Sequence, residues 1–110
     1  VMRHRERAIP GSVRSIVRQL LPTRRLNIDL VASQFNMHPK ALQRRLAAEG
    51  TSFAELVDET RRDIAQRLLI GSDLSVAQVA RQLGYTEQST LTRACRRWFD
   101  ASPTEFRARG

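Results

Sequence analysis

The sequence predicts an all-α fold, and three observations carry that prediction. Apolar residues recur along most of the 110 residues at i, i+3, i+4 and i+7, the spacing that lines one face of a helix. No stretch alternates apolar and polar residues in the manner of a half-buried strand. One segment also occurs twice. Leu26, Val31, Ala32 and Gln34 return as Leu74, Val79, Ala80 and Gln82; Leu42 and Arg44 return as Leu91 and Arg93; Ser52, Glu55 and Leu56 return as Ser102, Glu105 and Phe106. One residue is gained between the first and second sets and one more between the second and third. A repeat at such a period marks two copies of one supersecondary unit, here helix, tight turn, helix.

Residues 1–11 carry Arg3, Arg5 and Arg7 without periodicity and are expected to form a flexible tail or interdomain linker. Ser12 is expected to cap a first helix over 13–21, with Val13, Ile16, Val17, Leu20 and Leu21 as its buried stripe and Pro22 ending it. Asn27 is placed to cap a short helix over 28–35, whose Ile28, Val31, Ala32 and Phe35 face inward. After a turn at 36–38, Pro39 takes the first position of a helix over 39–48, where its lacking N–H costs nothing. That helix buries Ala41, Leu42 and Leu46 and leaves Lys40, Gln43, Arg44 and Arg45 outside; Gly50 stops it. His38, just ahead of it, reads as a cap or flank.

Ser52 and Glu55 read as a capping box opening the longest helix, over 52–70. Phe53, Leu56, Val57, Ile64 and Leu68 form its apolar stripe, with Arg61, Arg62, Asp63, Gln66 and Arg67 largely solvated. At 1.5 Å per residue it spans roughly 27 Å, a rigid connector rather than a floppy linker. Ser75, capped back by Gln78, opens the second copy, with Val76, Val79, Ala80 and Leu83 inward and Gly84 supplying the turn. A helix over 86–98 turns Leu91, Ala94, Cys95 and Trp98 inward and Gln88, Ser89, Thr92, Arg93, Arg96 and Arg97 outward. Ser102, Pro103 and Glu105 start a short last helix that drops Phe106 onto the core. The expected organisation is a tail at 1–11, a first helix-turn-helix subdomain at 12–50, a linker helix at 51–71 and a second subdomain at 72–110.

Nineteen basic residues oppose eleven acidic ones, a formal charge of +8, and every basic residue except Lys40 is arginine. Such a surface attracts polyanions, nucleic acid before anionic membrane. The apolar fraction of 41% excludes a disordered basic tail as a description of the whole. A single cysteine forbids an intrachain disulfide and fits an intracellular compartment. No apolar run approaches the ~20 residues of a membrane span. The start at Val1 suggests a fragment of a longer chain.

The two outward helices carry the functional expectation. Arginine pairs with guanine O6 and N7, and glutamine with adenine N6 and N7, so side chains of this chemistry on the N-terminal half of a groove-entering helix can read bases. The candidates for base contact are Lys40, Gln43 and Arg44 in the first copy and Gln88, Ser89, Thr92 and Arg93 in the second. Arg45, Arg96 and Arg97 are better placed for phosphates, as are the free N–H groups of the helix starts at Asn27 and Ser75. The bland alternative is a solvated basic face on an ordinary amphipathic helix. Cys95 stands where the first copy has Leu46 and reads as a small core residue. His4 and His38 with one cysteine make no metal cluster, and neither metal nor cofactor is expected. Trp98 and Phe99 read as packing residues, which leaves single-stranded nucleic acid a poor partner.

The second copy, Val79-Ala80-x-x-Leu83-Gly84-Tyr85 followed by Ser89-x-Leu91-x-Arg93-Ala94-x-x-Arg97-Trp98 and Pro103-x-x-Phe106-Arg107, closely resembles the signature of AraC/XylS-family transcription regulators. The first copy, the long helix and the closing helix also match that family's DNA-binding domain, over about residues 13–109. The resemblance implies seven helices, with two helix-turn-helix subdomains bridged by a long helix. It implies recognition helices in successive major grooves of double-stranded DNA, transcriptional activation through RNA polymerase, a cytoplasmic location and no enzymatic activity. It further implies an isolated C-terminal part, monomeric here, with dimerisation in the full-length protein left to another domain. Leu91 and Cys95 stand where the pattern has phenylalanine, so the second core is expected to be less aromatic. His38-Pro39 replaces the usual serine at the start of the first recognition helix. Two other uses of the same surface remain open at this point: an architectural DNA binder that contacts phosphates alone, and a module whose basic face docks an acidic protein.

Overall fold

A computed structural model describes residues 9–110 as seven α-helices joined by turns, with no strand among the described residues. The helices are α1 (Ile9–Leu20), α2 (Ile28–Ser33), α3 (Pro39–Ala48), α4 (Phe53–Gly71), α5 (Val76–Gln82), α6 (Gln88–Phe99) and α7 (Pro103–Arg109), with a 3₁₀ turn at Leu21–Thr23. The chain divides into two compact units, one ending at Thr60 and the other running from Arg61 to Gly110, so the boundary falls inside α4.

In the first unit α1 starts earlier than the Ser12 cap implies. Ile9 is buried and extends the stripe of Val13 and Val17 by one turn, and Pro10 sits in the opening turn, where no intrahelical N–H is required. The expected tail therefore gives up Ile9, Pro10 and Gly11 to the helix, and its remainder, residues 1–8, lies outside the described residues. Helices α1, α2 and α3 pack on one another. The buried apolar side chains of this unit are Ile9, Val13, Val17, Leu21, Val31, Ala32, Leu42, Leu46 and Leu56. Each of the larger ones contributes about 1.5–3 kcal/mol relative to solvent exposure. Thr60 is buried among them, and its hydroxyl donates to the Leu56 carbonyl at 2.6 Å, so no polar group is stranded.

Caps set the helix starts. Asn27 accepts the Leu30 N–H on its side-chain oxygen at 2.9 Å. Ahead of Pro39 the cap is His38, whose Nδ1 accepts the Lys40 N–H at 3.1 Å. The expected box at Ser52 and Glu55 forms differently: Ser52 Oγ accepts the Glu55 N–H at 3.1 Å, but the Glu55 carboxylate takes the Thr51 hydroxyl at 3.2 Å. The boxes at Ser75 with Gln78 and at Ser102 with Glu105 are reciprocal, each side chain bonded to the other residue's N–H.

In the second unit Ala65, Leu69, Val79, Ala80, Leu83, Leu91 and Cys95 form a buried cluster, flanked by half-buried Tyr85, Trp98, Phe99 and Phe106. The aromatic rings lie along its margin: Phe106 stacks on Phe99 at 4.0 Å, and Trp98 meets Phe99 edge-on at 5.9 Å. With Leu91 and Cys95 at its centre, the core is aliphatic inside and aromatic at the rim. Helix α6 begins at Gln88, two residues later than expected, because Thr86 and Glu87 bend the chain first. Arg61, expected to be solvated, is half-buried. It donates to the Leu83 carbonyl at 3.1 Å and lies 4.7 Å from the centre of the Tyr85 ring, so it closes the end of α5. Arg107 does the same for α4, donating to the carbonyls of Leu69 at 2.8 Å, Leu68 at 3.2 Å and Ser72 at 3.4 Å. The Leu68 and Leu69 carbonyls lie in the last turn of α4, where a helix end leaves acceptors without an intrahelical N–H, and Leu68 also accepts the Ser72 hydroxyl at 2.7 Å.

Candidate nucleic-acid interface

Each unit holds one helix pair joined by a tight turn, α2 with α3 and α5 with α6, and the members of each pair are in contact. The turns are built alike. Asn36 and Gly84 both take the left-handed backbone, at φ 55° and 81°. In each, the next residue's N–H closes onto an alanine carbonyl, Met37 onto Ala32 at 3.1 Å and Tyr85 onto Ala80 at 3.0 Å. This six-residue closure fixes the direction in which the second helix leaves.

Helix α3 buries Leu42 and Leu46 and exposes Lys40, Gln43, Arg44 and Ala47. At 3.6 residues per turn the four exposed positions share an arc of about 100°. Helix α6 buries Leu91, Ala94 and Cys95 and exposes Gln88, Ser89, Arg93, Arg96 and Arg97, with Thr92 half-buried between them. Thr92 donates its hydroxyl to the Gln88 carbonyl at 3.3 Å, which leaves its oxygen lone pairs outward as acceptors. The structure therefore gathers the expected base-contact residues into two sets, Lys40, Gln43 and Arg44 on α3, and Gln88, Ser89, Thr92 and Arg93 on α6.

The expected phosphate contacts are placed less uniformly. Arg96 is exposed beside Arg93, whereas Arg45 is half-buried. Arg97 is exposed with its guanidinium 5.4 Å from the centre of the Trp98 ring. Asn27 and Ser75 are exposed and spend their side-chain oxygens on the Leu30 and Gln78 N–H groups. The Ser75 N–H is itself taken by Gln78 Oε1 at 2.8 Å. What these starts can still offer an anion is the N–H groups of the first two residues of α2 and α5, with the positive end of each helix dipole.

A residue outside the expected set stands at the same edge. Glu87 is the N-cap of α6, yet its carboxylate caps no backbone group; it is exposed and accepts the Ser89 hydroxyl at 3.4 Å. An expected start at residue 86 places Glu87 inside the helix, and only the later start at Gln88 brings it to the corner. Its counterpart in the first copy is His38, the N-cap of α3.

Cys95 is buried, and burial pushes its thiol up to about 11, so at neutral pH it is a protonated packing group. Among the described residues no group of His, Cys, Asp and Glu could hold a metal ion. No described helix is long and apolar enough to cross a membrane.

A family profile described as a helix-turn-helix domain matches residues 31–109. The HTH-type transcriptional regulator VirS of Mycobacterium tuberculosis is 47% identical over 95 residues, which make up 86% of this chain and 28% of that protein. The chain thus spans little more than a quarter of the length of such relatives. A DNA-binding transcriptional dual regulator from Escherichia coli K-12 superposes with a TM-score of 0.84 at 26% identity, over 92% of this chain and 90% of that one. The DNA-binding domain of AdpA, solved in complex with a target DNA, superposes with a TM-score of 0.75 at 27% identity, over 91% and 90% of the two chains.

Proposed function

The chain belongs to the AraC-type helix-turn-helix family of transcriptional regulators, and from that premise we propose that it is a sequence-specific reader of double-stranded DNA. In this reading α3 and α6 are the two recognition helices, each entering a major groove. Lys40, Gln43 and Arg44 address one block of bases, and Gln88, Ser89, Thr92 and Arg93 address a second. Arg45, Arg96, Arg97 and the helix starts at Asn27 and Ser75 hold the phosphates between. Direct base readout needs donors and acceptors of differing geometry, and both helices mix Gln with Arg, which phosphate neutralisation alone does not require.

The observation that carries the reading is the equivalence of the two turns. Asn36 and Gly84 aim two helices, each with an apolar inner face and a Gln/Arg outer face, by the same backbone closure. The likeness to a DNA-binding domain solved on its target supports it. Both helices lie on one chain, so a single copy suffices for both blocks and the chain acts on DNA as a monomer. RNA polymerase is the partner proposed for activation, in the cytoplasm, and the chain itself performs no enzymatic step.

The test is selection of random duplexes by this chain, followed by affinity for the winner and its scramble across a salt series. Two enriched blocks about one helical turn, ~34 Å, apart, with a preference of about 10³ or more over the scramble, would bear the reading out. Affinity that follows salt alone, with no enriched block, would replace it with architectural binding through phosphates.

A further inference from the structure

We propose that Glu87 is a specificity-determining residue of the second recognition helix and selects a cytosine by accepting its N4 amino group. The inference rests on the proposed reading of α6 as a groove-entering helix. Four observations lead to it.

Glu87 holds the N-cap position, where side chains of helix-starting residues ordinarily accept a backbone N–H, and it makes no such bond. Its first-copy counterpart His38 does make that bond, to Lys40. The Glu87 carboxylate instead reaches forward to the Ser89 hydroxyl at 3.4 Å, which holds it on the edge that carries Gln88, Ser89 and Thr92. One carboxylate oxygen keeps Ser89 while the remaining lone pairs face outward from an exposed side chain.

Charge decides what such a group can meet. An ionised carboxylate is acceptor-only, so at a DNA surface it is repelled by phosphate and by the acceptor edges of guanine and thymine. In the major groove cytosine presents a donor without an adjoining acceptor of its own. The neighbouring Gln88 and Arg93 satisfy adenine and guanine, leaving the donor of cytosine to the one acidic residue on this edge. Ser89, whose hydroxyl donates to the carboxylate, orients it and keeps its own oxygen lone pairs for the base it addresses.

The experiment is the duplex selection run in parallel on the unaltered chain, Glu87→Ala and Glu87→Gln, with helicity checked by circular dichroism. The unaltered chain is expected to enrich cytosine at one position of the block read by α6. Glu87→Ala should lose roughly ten-fold discrimination at that position and keep the others. Glu87→Gln, which retains shape and gains a donor, should move the preference there towards adenine. Uniformly tighter binding of both variants to all sequences, with the same enriched bases as the unaltered chain, would mean that Glu87 only repels phosphate, and would overturn the inference while leaving α6 a reader. Absence of any motif for the unaltered chain would sink the proposed function, and this inference with it. If Glu87→Ala loses helicity, the base shift or its absence in Glu87→Gln decides.

Discussion

Asn36 and Gly84 occupy the same place in the two repeats and share a left-handed backbone, one of them without glycine's freedom to adopt it. The second stop of each repeat shows the reverse assignment: Gly50 follows α3 at φ 79°, and Asp100 follows α6 at φ 54°. Each copy therefore carries one glycine and one Asn or Asp at its two left-handed positions, in exchanged order. Asn and Asp are the residues that tolerate this region best after glycine, because a short polar side chain can bond locally. The geometry of the unit has been kept while the residue meeting its strain has changed place.

From this follows a paired expectation for stability. A Cβ at Gly50 would meet nothing within 4 Å, so Gly50→Ala isolates backbone strain and should cost about 1–2 kcal/mol. Asp100→Gly should relieve strain and gain up to about 1 kcal/mol, less the greater entropy of the unfolded glycine. Urea denaturation with an unchanged slope measures both. Equal and opposite shifts of negligible size would show that the helix ends relax without cost.

Arg107 counts towards the basic surface but works inside the fold. Its guanidinium meets three carbonyls at the end of α4. Arg107→Ala should lower stability by about 2–3 kcal/mol, since it strands acceptors that are only partly open to water. Arg107→Lys should recover a fraction, because an ammonium lacks the planar fork that spans three acceptors. Base preference in a duplex selection should be unchanged in both. A changed preference would place Arg107 at the DNA instead.

The role of Arg107 also marks where the sequence stops being informative. Apolar spacing at 13, 17, 42, 46, 91 and 95 was enough to orient the helices, and Ser75 with Gln78 announced a helix start through a bond only three residues long. Arg107 and Arg61 instead reach carbonyls far away in the chain, at Leu69 and Leu83, and nothing in their neighbours distinguishes them from solvated cations. The start of α1 slipped because Ser12 looks like a cap while Pro10 is equally at home in a first turn. The candidate site was legible through the repeat, which aligns Arg44 with Arg93. Glu87 was not, because its standing depends on where α6 begins.

Cys95 makes stability depend on alkaline pH. The folded protein holds the thiol at about 11, against an ordinary value of 9.0, because burial disfavours the thiolate. The folded state thus binds this proton more tightly than the unfolded state. The resulting stability is fully present below pH 9 and is lost as pH rises through about 11. Cys95→Ala should cost about 1–2 kcal/mol at pH 7 by opening a small cavity. The gap between the two proteins should then shrink between pH 9 and 11, as followed by denaturation at fixed salt. A gap independent of pH would show that the thiol reaches water.

Arg44 and Arg93 are the aligned pair on which the proposed base reading depends most. Each is exposed on its helix, and a guanidinium bidentate to guanine is worth about 1–3 kcal/mol of discrimination. Arg44→Ala and Arg93→Ala should each weaken the preferred site by that amount and relax a different base position. Affinity for random duplex should fall less, and the salt dependence should change little, since base contacts release no phosphate counterions. If each arginine reads its own block, the double variant should lose the sum of the two effects on the preferred site, to within about 0.5 kcal/mol. Titration of labelled duplexes at two salt concentrations measures all four states. Equal losses on preferred and random DNA, together with a shallower salt slope, would assign both arginines to phosphate and leave sequence selection to the glutamines.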